Sequence, residues 1–134
     1  MQRLTLQIQS RSHSDLFEVT AKVQQALPDL GLGNGLVHLY TPHTTCGLTI
    51  NENADPDVAT DLLCRLEQLV PWSSLQDRHG EGNSAAHLKS SLLGCNLTLP
   101  VEQGRLKLGT WQGVYLCEFD GPRRRNLILT AMPL

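Results

Sequence analysis

The sequence predicts an α+β fold: a single compact domain over residues 1–134, with a largely antiparallel or mixed β-sheet and about three helices. Three observations carry this reading. Apolar and polar residues alternate near the start and through much of the last third, as half-buried strands require. Two stretches repeat apolar residues every third or fourth position, as helices packed on a core do. The last strand candidates are separated by tight breaks, Glu102-Gln103-Gly104 and Asp120-Gly121-Pro122, which favours antiparallel neighbours.

In order, Leu4, Leu6 and Ile8 alternate with Thr5, Gln7 and Gln9 and predict a first strand. Over residues 15–27, Leu16, Val19, Val23 and Ala26 predict a helix, with Asp15 and Glu18 spaced as a capping box. Pro28 and the glycines Gly31, Gly33 and Gly35 end it. Residues 36–40 and 47–50 read as strands. Asp55-Pro56 starts a second helix: Asp supplies an acceptor for orphan N–H groups, and proline at the first helical position has no N–H to leave unpaired. Ala59, Leu62, Leu63, Leu66 and Val70 form its expected buried stripe, and Pro71 stops it. Residues 72–82 read as irregular, and a third helix spans 84–93, with Gly94 placed for a left-handed C-terminal turn. The alternations at Leu97, Leu99 and Val101 and at Leu106 and Leu108 predict strands, followed by 114–119 and 127–129.

Composition bounds the function. A chain of 134 residues fits one domain and buries roughly two-thirds of its unfolded surface without a staple. With 40% hydrophobic and 18% charged residues, wholesale disorder is excluded. A net charge of −2 and 4% aromatics disfavour a nucleic-acid partner, which needs basic patches or stacking platforms. No apolar run approaches the ~20 residues that cross a bilayer, and residues 1–8 lack the apolar core of an export signal. A cytoplasmic protein with no membrane partner is expected. Cys46, Cys64, Cys95 and Cys117 form no CxxC pair and read as reduced thiols. Cys46, three residues after His43, reads as a small buried thiol rather than a nucleophile.

The polar segments concentrate chemistry. His43 lies in the loop Thr41-Pro42-His43-Thr44-Thr45; Glu52, Asp55 and Asp57 gather at a strand-to-helix junction; His79, Glu81 and Asn83 lead into the third helix, and His87 follows about one turn inside it. Free N–H groups and the dipole at that helix start suit an anion. If the loops converge, His43, His79 and His87 can ligate a divalent ion such as zinc; otherwise they are ordinary loop histidines. Glu52 and its neighbours suit Mg²⁺, although Asp55 and Asp57 are also explained as helix-start residues. Residues 120–125 are either a tight turn with a solvated charge run or an anion clamp. Trp111, between Gly109 and Gly113, either walls a pocket or packs on a neighbouring subunit. Alone, these residues stop at a domain with a polar, histidine-rich site.

Five ordered motifs extend the reading: His43-Thr44-Thr45, Thr49 through Asp57, His79 through His87, Gly109-Thr110-Trp111-Gln112, and Glu118 through Arg123. In these the chain resembles the YjbQ-like family over nearly its whole length. The resemblance implies a compact α+β domain assembled as a homotrimer, with thiamine-phosphate synthase activity: joining of hydroxymethylpyrimidine diphosphate to thiazole phosphate with release of pyrophosphate. It implies a phosphorylated small-molecule substrate and a divalent metal (Zn or Mg), and points to His43, Glu52, Asn53, His79, Asn83, His87, Trp111 and Arg123. The resulting expectation is His43, His79 and His87 as metal ligands or anion donors, Glu52, Glu81 and His79 as acid–base groups, and Asn53, Asn83, Ser84, Trp111 and Arg123 as anion-binding groups. A metal-dependent hydrolase and a non-catalytic metal- or anion-binding module are the alternatives.

Overall fold

Along the chain the elements are β1 (Arg3–Gln9), β2 (Asp15–Glu18), α1 (Thr20–Ala26), β3 (Gly35–Tyr40), β4 (Cys46–Glu52), α2 (Pro56–Leu69), α3 (Ser84–Leu93), β5 (Asn96–Glu102), β6 (Arg105–Leu106), β7 (Gln112–Glu118) and β8 (Arg124–Pro133). They are seen in a computed structural model, which describes residues 2–134. The strands form two sheets, one of order β1-β8-β3-β5-β6 and one of order β2-β7-β4, in which neighbouring strands run antiparallel. The α+β class holds, and the expected single sheet is divided in two.

The division follows from alternation along β7. Val114 and Leu116 face Val37, Leu39, Leu127 and Leu129 of the larger sheet, in a core that also takes Leu48 from β4 and Val23 and Ala26 from α1. Tyr115, Cys117 and Phe119 point the other way, toward Ala86 of α3 and the half-buried Leu63 and Leu66 of α2. Residues 114–119 are therefore buried on both faces, which is why they read as a continuous apolar run. Each fully buried leucine in this core contributes about 1.5–3 kcal/mol relative to an exposed one.

Two local expectations fail for tertiary reasons. Residues 15–18 are strand β2, not the first turn of a helix, because they pair with the free edge of β7 from Asp15↔Glu118 to Glu18↔Tyr115. The capping box does not form: α1 starts after Val19 without a side-chain cap, and Glu18 instead accepts hydrogen bonds from Thr20 Oγ1 (2.8 Å) and Asn53 Nδ2 (3.0 Å). Helix α2 begins as predicted, with Asp55 Oδ1 accepting from the Asp57 N–H at 2.9 Å. Its stripe, however, is only half-buried, since a cavity of about 650 Å3 separates it from β2.

Helix α3 matches its predicted bounds, and Gly94 at its end has φ +91°. It lies against β4 at Gly47, where a Cβ would sit 2.9 Å from the Gly94 carbonyl oxygen, so only glycine lets helix and strand approach this closely. Ser90 Oγ donates to the Cys46 carbonyl (2.7 Å) at the same contact. The expected strands β1, β3 and β5 lie in the larger sheet, where β8 runs between β1 and β3, and β3 is bonded to β8 on one edge and β5 on the other. No helix among the described residues is long and apolar enough to cross a membrane.

Candidate functional site

Antiparallel pairing brings four chain segments to one end of the molecule. The C-terminal end of β3 lies beside the N-terminal end of β8 (Tyr40↔Ile128), and Cys46 at the start of β4 lies opposite Glu118 at the end of β7. The loop carrying His43 and the β7–β8 turn carrying Asp120 and Arg123 therefore meet. Helix α3, pinned at Gly47, brings Asn83 and His87 to the same place. Between them is a cavity of about 410 Å3 that takes in His43, His79, Glu81, Asn83, His87 and Arg123, six of the residues named from sequence.

Beneath it lies a buried ion pair that sequence reasoning missed. Glu118 is 0% exposed and Arg125 2% exposed. Glu118 Oε1 accepts from Arg125 Nε (2.8 Å) and Ser10 Oγ (2.6 Å), and Oε2 accepts from Arg125 Nη2 and from the N–H groups of Phe119 and Asp120. Burial alone would raise the Glu118 pKa, but the hydrogen bonds from Arg125, Ser10 and Asp120 hold it below the usual carboxylate value. Arg125 Nη2 also donates to Thr45 Oγ1 (2.8 Å) and the Thr45 carbonyl (3.2 Å), which fixes the His43 loop. The sequence signals for this were the motif from Glu118 to Arg123, which did not single out Glu118, and the arginine run after Asp120, whose alternate members face opposite sides of β8: Arg125 inward, Arg124 to solvent.

His43 is set by the next residue. The Asn126 N–H donates to His43 Nε2 at 2.9 Å, so the neutral ring carries its proton on Nδ1 and offers a donor, not a lone pair, at its other nitrogen. Burial, then the Arg125 charge, hold its pKa below the ordinary value of 6.5, against the opposing pull of Glu118. His79 and His87 pack edge-to-face with ring centroids 5.3 Å apart. Gly82, at φ +72°, closes the turn that returns its N–H to the His79 carbonyl (3.0 Å). Arg123 lies over the cavity with Nε on the Asp120 carbonyl (2.8 Å) and Nη2 on Asp120 Oδ2 (3.1 Å).

The remaining predicted residues lie elsewhere. Glu52, Asn53 and Trp111 cluster at the far end of β4, about 20 Å from Cys46 by strand length. Glu52 Oε2 accepts from the Asp55 N–H (3.2 Å), Asn53 Nδ2 is bonded to Glu18, and the Trp111 carbonyl accepts from the Asn53 N–H (2.8 Å). Trp111 is 63% exposed and walls no part of the cavity. These three residues join a loop to a helix start, so Glu52 does not serve as a base within this cavity. Ser84 opens α3 but is not part of the cavity wall. The expected three-histidine centre for Zn or Mg does not fit: no three His, Cys, Asp or Glu side chains among the described residues are grouped to hold an ion, and Asn126 occupies His43 Nε2. Cys46 and Cys117 are buried, with pKa values raised by burial, Cys117 to about 12, so neither is an activated nucleophile.

Two expected outcomes follow from this geometry. Glu118→Ala leaves Arg125 buried without its partner and lowers stability in urea by about 3–5 kcal/mol, whereas Glu118→Leu combined with Arg125→Met recovers most of that loss. His43 titrates at a lower pH folded than unfolded, so acidification through about 6.5 protonates the unfolded chain first and removes stability. The drop in urea midpoint between pH 7.5 and 5.5 is therefore larger for the natural chain than for His43→Gln; equal drops refute the assignment.

The model of the family described as UPF0047 protein YjbQ-like matches residues 4–133. The chain is 50% identical to the UPF0047 protein YugU of Bacillus subtilis over 96% of its own length and 97% of the relative's. It is 45% identical to a UPF0047 protein of Methanocaldococcus jannaschii, covering 90% and 86% of the two chains. Among solved structures, a conserved hypothetical protein from Thermus thermophilus superposes with TM-score 0.90 at 51% identity, covering 96% and 99% of the chains. An uncharacterized protein of the same family from Clostridium acetobutylicum superposes with TM-score 0.92 at 41% identity, with the same coverage. These descriptions assign no reaction, and one from Sulfolobus solfataricus states unknown function. The expectation of thiamine-phosphate synthase activity and of metal-assisted catalysis is corrected accordingly: the relatives' descriptions assign neither, and the ligand geometry among the described residues does not supply the second. Sequence, family model and superposition agree that the chain belongs to the UPF0047, YjbQ-like, family.

Proposed function

We propose that the polar cavity is an enzyme's active site for proton-transfer chemistry on a small molecule bearing an oxyanion. The observation that carries this reading is the grouping of donors and proton carriers around one space: His43 Nδ1–H and Arg123 for the anion, and the His79–His87 pair for the proton. An imidazole N–H and a guanidinium hold an anion in place without needing a large net charge. An imidazole carries one donor and one acceptor nitrogen, so two adjoining rings can serve as acid and base, with Glu81 at the rim as a further acceptor. Incubating the protein with a small-molecule extract and following anionic species by mass spectrometry tests this. The natural chain should consume at least one such species, and His79→Ala with His87→Ala should abolish that consumption. Identical profiles for the two proteins refute it.

The outer face of the larger sheet supports an assembly as well. Leu36 and Tyr40 are each 39% exposed, and they lie in register with Met132 and Ile128 on β8, giving an apolar strip interrupted by His38 and Thr130. This chain assembles through that strip as a homotrimer, the state the family resemblance implies. Sedimentation equilibrium should give three chain masses, and Leu36→Glu should lower the value to one; a natural chain that sediments as a monomer overturns it.

A further inference from the structure

We propose that the ligand of the polar cavity carries a hydrogen-bond donor on or beside its anionic group, and that Asn83 Oδ1 reads it. This rests on the oxyanion reading above and narrows the class of molecule. Asn83 precedes the first turn of α3 and is 5% exposed. Its Nδ2 donates to Asp120 Oδ2 at 2.8 Å. Burial would raise the Asp120 pKa, but hydrogen bonds from Asn83 and Arg123, with the Arg123 charge, hold it below the usual value. Asp120 is thus an ionised carboxylate that only accepts. The Asn83 amide cannot be turned over, because the other orientation would set its oxygen against that carboxylate.

Asn83 Oδ1 consequently has a fixed orientation and no partner among the described residues. It is not spent on the helix start either: the Ala86 and His87 N–H groups bond to the Asn83 main-chain carbonyl, at 3.0 and 3.4 Å, and the side chain makes no cap. A buried acceptor left unpaired is unfavourable, and a ligand donor recovers that loss on binding. Around it the cavity offers donors, His43 Nδ1–H and Arg123. The complement of several donors and one buried acceptor is an oxyanion with one O–H. A protonated phosphate group has this pattern, as does a 2-hydroxycarboxylate. Sulfate and a simple carboxylate bring the charge without the donor.

Titration calorimetry at pH 7 with two matched pairs, inorganic phosphate against sulfate and glycolate against acetate, tests the inference on the natural chain. The donor-bearing member of at least one pair should bind about tenfold tighter, the scale of one satisfied hydrogen bond. The pair that shows the preference identifies the source of the donor. Asp120→Asn frees the Asn83 amide to turn over and should collapse the preference toward unity, as should Asn83→Ala. Equal affinities within both pairs refute the donor requirement while leaving the oxyanion site standing. No binding of any of the four removes both.

Discussion

The arrangement of this site depends on one buried ion pair. Removing a carboxylate and a guanidinium from water costs several kcal/mol each, which mutual attraction offsets only if nearly every remaining donor and acceptor is paired. Glu118 meets that condition through Arg125, Ser10 and two main-chain N–H groups, and Arg125 meets it through Glu118 and Thr45. Those partners come from four separate segments: the end of β1, the loop before β4, the end of β7 and the start of β8. A pair that demands so many partners at once fixes where those segments stand relative to one another. The functional groups are then positioned by adjacency in the chain, with His43 two residues before Thr45, Asp120 two after Glu118, and Arg123 two before Arg125.

The sequence made the elements legible where a local signal and the tertiary structure agree. Asp55-Pro56 and Gly94 mark helix ends by backbone chemistry that needs no partner, and both occur where expected. Residues 15–18 show the opposite case. Their helical spacing is real, but an unpaired edge of β7 offers hydrogen bonds that a helix start cannot match, so pairing overrides the pattern. For the site, the histidines and Asn83 were legible because polar residues that interrupt apolar runs must sit at loop ends, and antiparallel strands bring loop ends together. Glu118 was not legible, since a carboxylate in the run Val114–Phe119 reads as an ordinary strand end until its arginine is known to face it.

Glu52, Asn53 and Trp111 illustrate why polar clusters in a sequence divide between structure and chemistry. They lie in as polar a segment as His43 does, yet each spends its hydrogen-bonding capacity on a neighbour that must be held in any case: a helix start, the Glu18 carboxylate, a loop N–H. Lys89 follows the same logic inside the molecule. It is buried beside the Phe119 ring and bonded to Glu67, tying α3 to α2. Groups whose bonding is closed hold the fold, and groups whose bonding is open are left for a ligand.

That distinction reconciles the proposed anion site with a chain of net charge −2. The two arginines at the cavity are already neutralised, Arg125 by Glu118 and Arg123 by Asp120, so little free positive charge remains to attract anions at long range. In the proposed site selection falls to direction, from a neutral imidazole N–H held by a main-chain bond and the remaining N–H groups of a guanidinium beside one space. Such a site works at short range, where oriented donors in a partly desolvated cavity outweigh the overall charge. It also discriminates by hydrogen-bond pattern more sharply than by charge, because a mismatched ligand leaves a specific buried atom unpaired.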